Sequence, residues 1–317
     1  MIEGKTASQG AAEGLDLCIR TIIPSLFPFF VLTSYLHPWL TNINFPVISA
    51  LGKLLSIPSG QESTLLLGFL GGYPVGAQLI GESYRNGQLS KENATILMGY
   101  CNHAGPAFLF GITAKLFHSP VIPWVLWGVH ILSGILTAII LPRCHSQHSV
   151  ASHITPITFP QALRSAITIC SSVCGWIILF KALLSLLQKW FIKALHGVPF
   201  IFISGLLELS NGCFQLAELS SQSARFIFCS AFLSFGGFCV AMQAASAAVP
   251  LGLGLYFPGK MIETLTSIGL SILVSWLQFD DSLIPLSQWC IYLFFSLIII
   301  TLLRNRQLKK LWKLQTT

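Results

Sequence analysis

Six residues of this chain offer chemistry where apolar sequence ordinarily offers none: Tyr73, Asn102, His103, Glu208, Asn211 and Gln243. Glu208 and Asn211 lie in GLLELSNGC (205–213), while Asn102 and His103 lie in CNHAGP (101–106), inside long hydrophobic runs. An ionisable group at membrane depth is costly enough to mark a functional site by default. Asn102 can donate and accept hydrogen bonds. His103 can bind a polar solute, carry a proton or simply satisfy a carbonyl, the last being the commoner role of a buried histidine. Gln243 reads equally as a bridge between helices, and Glu218 as an interfacial carboxylate. Together these groups suit hydrogen bonding to a small polar solute.

They do not suit catalysis. The chain has no HExxH and no GxSxG, and its eleven acidic residues show no obvious membrane-embedded pair for acid/base work. Gly4-Lys5-Thr6 ends like a phosphate loop but has no room before it for the upstream glycine. We therefore expect no enzyme and no cofactor. No metal site is expected either. His145, His148 and His153 have no compact ligand spacing, and the nine cysteines contain no CxxC. Asp16 and Arg20, four apart, read as a self-neutralising surface pair.

The backbone around the polar groups is equally unusual. GFLGGYPVGAQ (68–78) follows an apolar run and sets Gly71, Gly72, Pro74 and Gly76 within six positions. Proline has no amide hydrogen and obstructs the preceding turn, while glycine allows conformations and close approaches closed to other residues. In hydrocarbon an unpaired backbone group costs several kcal/mol, so such backbone survives only inside protein or beside a watery cavity. The helix is expected to break there so that its polar ends face inward. Close packing of glycines between helices is the competing reading. Gly105 and Pro106, Gly212, and Gly236 with Gly237 mark further backbone-shaping positions.

The elements that carry these residues must be membrane helices. With 53% hydrophobic and 9% charged residues and a mean hydropathy of +0.72, lipid is the solvent for most of the chain. The formal charge of +7 does not point to nucleic acid. The basic residues are scattered at helix ends or gathered in RNRQLKKLWK (304–313), an anchor against anionic lipid. The mixed charges of the first sixteen residues argue against a removable signal peptide.

The fold expected is an all-α polytopic membrane protein. About seven crossings read as 14–36, 94–117, 120–142, 163–188, 224–247, 254–278 and 286–304. Two broken or re-entrant segments, 62–80 and 199–218, accompany them. Aligning Gly68 with Gly205 sets the two broken segments side by side and brings NHAGPAFLFG near SFGGFCVAMQ. The order of elements thus suggests two weakly similar, inverted repeats, 14–142 and 163–278. A polar linker, 143–162, joins them, and a terminal helix, 286–304, precedes the basic tail 304–317. The positive-inside rule does not separate re-entrant from crossing segments. Both place about eleven of the eighteen Lys and Arg inside and leave the C-terminus cytoplasmic. Cys144 changes sides between the two arrangements.

CIRTIIPSLFPFFVLTSYL (18–36), GFLGGYPVGAQLIGESYRNGQLS, CNHAGPAFLFG, GLLELSNG and LSFGGFC together resemble the sporulation integral membrane protein YlbJ family. That family belongs with the nucleoside-recognition or Gate-domain membrane proteins. The resemblance implies a bacterial inner-membrane protein of an endospore former with a role in making the spore cortex. It brings no agreed catalytic residues. The partners implied are the lipid bilayer, a small polar solute such as a nucleoside, and either further copies of the chain or other sporulation membrane proteins. A general solute transporter and a non-transporting scaffold are the alternatives.

Overall fold

The structure is a computed structural model that describes residues 2–42, 46–145, 157–191 and 197–278; every regular element among them is helical. In the first half, α1 (Ile2–Leu17) runs through a π-helical turn (Cys18–Ile22) into α2 (Ile23–Asn42). Pro24 and Pro28 lack the amide a regular helix requires, and the wider turn just before them accommodates the mismatch. Then come α3 (Pro46–Leu55), α4 (Glu62–Gly71), α5 (Val75–Arg85), α6 (Lys91–Met98), α7 (Pro106–Leu116) and α8 (Ile122–Ile140). The second half holds α9 (Phe159–Trp190), α10 (Val198–Leu207), α11 (Leu209–Gln215), α12 (Gln222–Phe235), α13 (Gly237–Ala247) and α14 (Tyr256–Gln278). The terminal helix expected at 286–304 and the basic tail lie outside the described residues, as does most of the linker.

Among the described residues, four helices are long and apolar enough to cross a membrane: Glu3–Leu40, Ile122–Ile140, Phe159–Trp190 and Gln222–Ala247. α9 starts on a capping box, in which Thr158 and Gln161 satisfy each other's backbone. Its 32 residues span about 48 Å, more than the roughly 30 Å of hydrocarbon. α1 and α2 lie along it, burying Cys18, Ile22 and Phe30 against Ala166, Val173 and Ile177. α8, α12 and α14 pack on one another as a second group. Leu32, Trp124, Leu132 and Leu179 point outward, as lipid contact requires.

Two expected continuous crossings are interrupted. The stretch 94–117 is α6 and α7 separated by residues 99–105, because Pro106 can only begin a helix and not continue one. The stretch 224–247 breaks at Gly236, whose φ of 81° is left-handed. Ser90 caps α6 by accepting from Asn93 N–H at 3.2 Å. Asn93 is buried, and its side chain clamps the backbone of His145 from both ends.

Cys144, just beyond α8, is half-buried, with its sulfur 3.9 Å from the Tyr100 hydroxyl. Burial pushes its thiol up to about 11. Maleimide is attacked by the thiolate, so Cys144 should label on the order of 10²-fold more slowly at pH 7 than an ordinary thiol. The rate should rise about tenfold per pH unit until the thiol's own value is reached. Arg143, exposed beside it, is the better reporter. In a cysteine-free background, Arg143→Cys should label rapidly from one side of the membrane only; equal rates for the two positions at pH 7 would contradict the burial.

Candidate functional site

The two breaks are held by backbone packed on backbone. α4 ends at Gly72, whose φ of 77° is left-handed, and a cis Tyr73–Pro74 bond leads into α5. A Cβ on Gly72 would press on the amide of Gly105, and one on Gly76 would overlap the carbonyl oxygen of Cys101. The first break therefore sits directly against the 99–105 interruption. In the second half, Glu208 separates α10 from α11. A Cβ on Gly212 would overlap the backbone of Gly205, and one on Gly237 would crowd the carbonyls of Gly205, Leu206 and Leu207. Each broken segment thus rests on the interruption that follows it. Gly71 lies against Thr33, and Gly236 against the Tyr73 ring, where the two halves meet.

Between the breaks lies a narrow cleft with about 30 Å³ of water-accessible space. Gly72, Tyr73 and Gly105 line it from the first half, and Glu208, Ser210 and Gln243 from the second. The rest of the wall is apolar, chiefly from α2, α9 and the π-helical turn. Glu208 caps α11, its carboxylate accepting from the Ser210 N–H at 3.0 Å and the Asn211 N–H at 2.7 Å. The orphan amides of a helix N-terminus thereby hold a carboxylate in place. Gln243 donates to Cys239 Sγ at 3.4 Å along its own helix. A larger, more polar hollow of about 400 Å³ lies among α2, α5 and α9, beside His37, Glu82 and Gln161, and takes no residue from the second broken segment.

Three of the expected site residues turn elsewhere. Asn102 is fully buried and accepts from Ala77 N–H at 3.3 Å, securing the first turn of α5. Asn211 accepts from Lys181 of α9. His103 belongs to a buried ionisable cluster of which only that residue was expected.

That cluster centres on Glu263 in α14, a buried carboxylate that the sequence reading did not single out. Lys260, one turn earlier, donates to Glu263 Oε2 at 2.7 Å, with both side chains fully buried. On the other carboxylate oxygen, Oε1, His103 Nδ1 stands at 3.1 Å and His130 Nδ1 at 3.6 Å. Lys260 also donates to the Tyr73 hydroxyl at 3.1 Å, and that hydroxyl donates to the Leu233 carbonyl at 3.0 Å. Phe69 stacks on His103 with ring centroids 3.8 Å apart. Tyr73 is thus common to both sites: it lines the cleft and its oxygen reaches the cluster. The missed signal was Lys260-x-x-Glu263 within an apolar run, which places both groups on one helix face.

His103, His130 and Glu263 lie close enough for a metal ion, with ligand atoms within 4.8 Å of one another. The donor set does not fit one. Ala104 N–H donates to His130 Nε2 at 3.0 Å, so Nδ1, the nitrogen facing the cluster, carries the proton and has no lone pair to give. The Lys260 ammonium on the same carboxylate also opposes a cation.

No protein-family model matches the chain, and no solved structure matches it. The chain is similar to the sporulation integral membrane protein YlbJ of Bacillus subtilis (strain 168), with 25% identity over an alignment covering 75% of this chain and 69% of that relative. Similarity to a named integral membrane protein agrees with the apolar helices in making this chain a multi-pass membrane protein.

Proposed function

We propose that the chain is a sporulation membrane protein that binds, and moves, a small polar solute in the cleft between its two broken helices. The observation that carries this reading is the meeting of both breaks at one cleft, where Tyr73, Glu208, Ser210 and Gln243 converge. Binding between discontinuous helices is a recurring way for transporters to satisfy a polar solute at membrane depth. On this reading 14–142 and 163–278 act as paired repeats, each contributing one broken helix to the wall. The similarity to a sporulation protein supports a role in spore formation, and cortex synthesis is the step we assign. Binding rather than catalysis is proposed because both oxygens of the cleft carboxylate, Glu208, are engaged by its own helix.

Gln243→Leu tests the reading with little structural disturbance, since it removes an amide whose Nε2, among the described residues, meets Cys239 Sγ. In a deletion strain of the spore-forming host, wild type should restore heat-resistant spores and a visible cortex. Gln243→Leu at equal protein level should lower the yield at least tenfold. Full restoration by Gln243→Leu would favour a scaffold without a solute site. Normal spores in the deletion strain would point to a vegetative solute transporter.

A further inference from the structure

We propose that the buried cluster around Glu263 is a proton-binding site, holding one exchangeable proton between His103 and Glu263 and linked to the cleft through Lys260 and Tyr73. The hydrogen-bond partners fix the assignment. His103 Nε2 lies 2.6 Å from the Tyr100 carbonyl oxygen, which can only accept, so Nε2 carries hydrogen. His103 Nδ1 then faces Glu263 Oε1 at 3.1 Å. A neutral imidazole and a carboxylate would oppose two lone pairs at that distance. One more proton must lie between them, on the nitrogen or on the oxygen.

His130 defines the state without that proton. Its Nδ1–H points toward Ser234 Oγ at 3.3 Å and toward Glu263 Oε1 at 3.6 Å. When the shared proton leaves, the contact with His103 becomes repulsive, and Nδ1–H of His130, 3.6 Å away, is a donor that faces Oε1. The carboxylate therefore has two partners on its inner oxygen and exchanges one for the other as the proton comes and goes.

Charge counting gives the exchange a direction. With the Lys260 ammonium and the shared proton the cluster carries one net positive charge, and release of the proton leaves it neutral. Burial favours the neutral form unless opposite charge balances the other. The groups facing Glu263 and Lys260 are Tyr73 from the first break, Cys101 and His103 from residues 99–105, His130 from α8 and Tyr256 from α14. None of these is a second carboxylate. Glu208 is on the cleft wall with Tyr73. Tyr73 accepts from Lys260 while its residue lines the cleft, so a solute that moves Tyr73 changes how Lys260 shares Glu263.

Only the link through Tyr73 rests on the solute reading; the proton site does not. The test is nitrogen-15 NMR of histidine-labelled protein in lipid nanodiscs between pH 5 and pH 9. Wild type should show one histidine with hydrogen fixed on Nε2 and a proton shared at Nδ1, and another held as the Nδ1–H tautomer. Glu263→Gln places an amide donor against His103 Nδ1, so the shared-proton signal should become a plain neutral Nε2–H tautomer that no longer responds to pH. Tyr73→Phe should displace the pH at which the signal changes. A wild-type spectrum in which no Nε2–H histidine shares a proton at Nδ1 at any pH would overturn the proposal, and this result needs no variant to fold. A signal lost on adding Zn²⁺ or Fe²⁺ would overturn it in favour of a metal site. If the NMR result holds while Gln243→Leu supports normal sporulation, the proton site stands and the solute cleft falls.

Discussion

Glu263→Ala is expected to destabilise the folded protein by about 3–5 kcal/mol, the cost typical of removing one partner of a buried ion pair. The variant leaves the Lys260 ammonium fully buried with only the Tyr73 hydroxyl as acceptor. It also leaves His103 Nδ1 and His130 Nδ1 without the carboxylate they face. Lysine can escape part of the cost by giving up its proton, which sets the lower end of the range. Lys260→Met with Glu263→Leu should recover most of the loss, because a buried pair replaced by apolar groups of similar volume is often neutral. A residual deficit of about 1–3 kcal/mol should remain from the unpaired histidine nitrogen. Unfolding in detergent can be followed by the reaction of a thiol dye with Cys101, Cys213 and Cys229, all free and fully buried. If Glu263→Ala melts with wild type, the cluster does not hold the α14 contacts that the structure assigns to it.

The breaks were legible in the sequence and the cluster was not, for a physical reason. Glycine and proline act locally: Gly72 needs a left-handed φ, and Pro106 cannot continue a helix whatever surrounds them. Ionisable residues act through partners. Lys260 and Glu263, three apart on a helix, look like an interfacial pair until α14 is packed beside α8, α12 and residues 99–105. His103 lies 160 positions from Glu263, and no periodicity encodes that contact. The same holds for Asn211, whose local setting pointed to the cleft but whose partner is Lys181, thirty residues earlier. Tyr73 stands between these cases. Its place in the break was evident from the sequence, while its hydrogen bonds to Lys260 and Leu233 depend on the fold. Glu208 was singled out for the cost of a carboxylate at membrane depth. The structure shows how that cost is reduced, through the two amides at the start of α11.

Gly76→Val should abolish accumulation of folded protein, with a cost above about 3 kcal/mol. Overpacking is usually relieved by side chains shifting aside, but here the first obstacle is the carbonyl of Cys101, part of the backbone on which the break is built. Moving it would drag Asn102 off the amide of Ala77 and His103 away from Glu263. Gly212→Val, against the backbone of Gly205, should fail in the same way. Gly128→Ala and Gly175→Ala supply the contrast, since both glycines are exposed helix positions with open space where a Cβ would go. Those two should be neutral or gain up to about 1 kcal/mol from better helix propensity. Fluorescence-detected size exclusion of tagged variants expressed in parallel would read all four. Loss of a folded peak for the first pair alone would show that both breaks depend on backbone contact. If Gly212→Val accumulated normally while Gly76→Val did not, the second break would be loosely packed, and the paired-repeat reading would lose support.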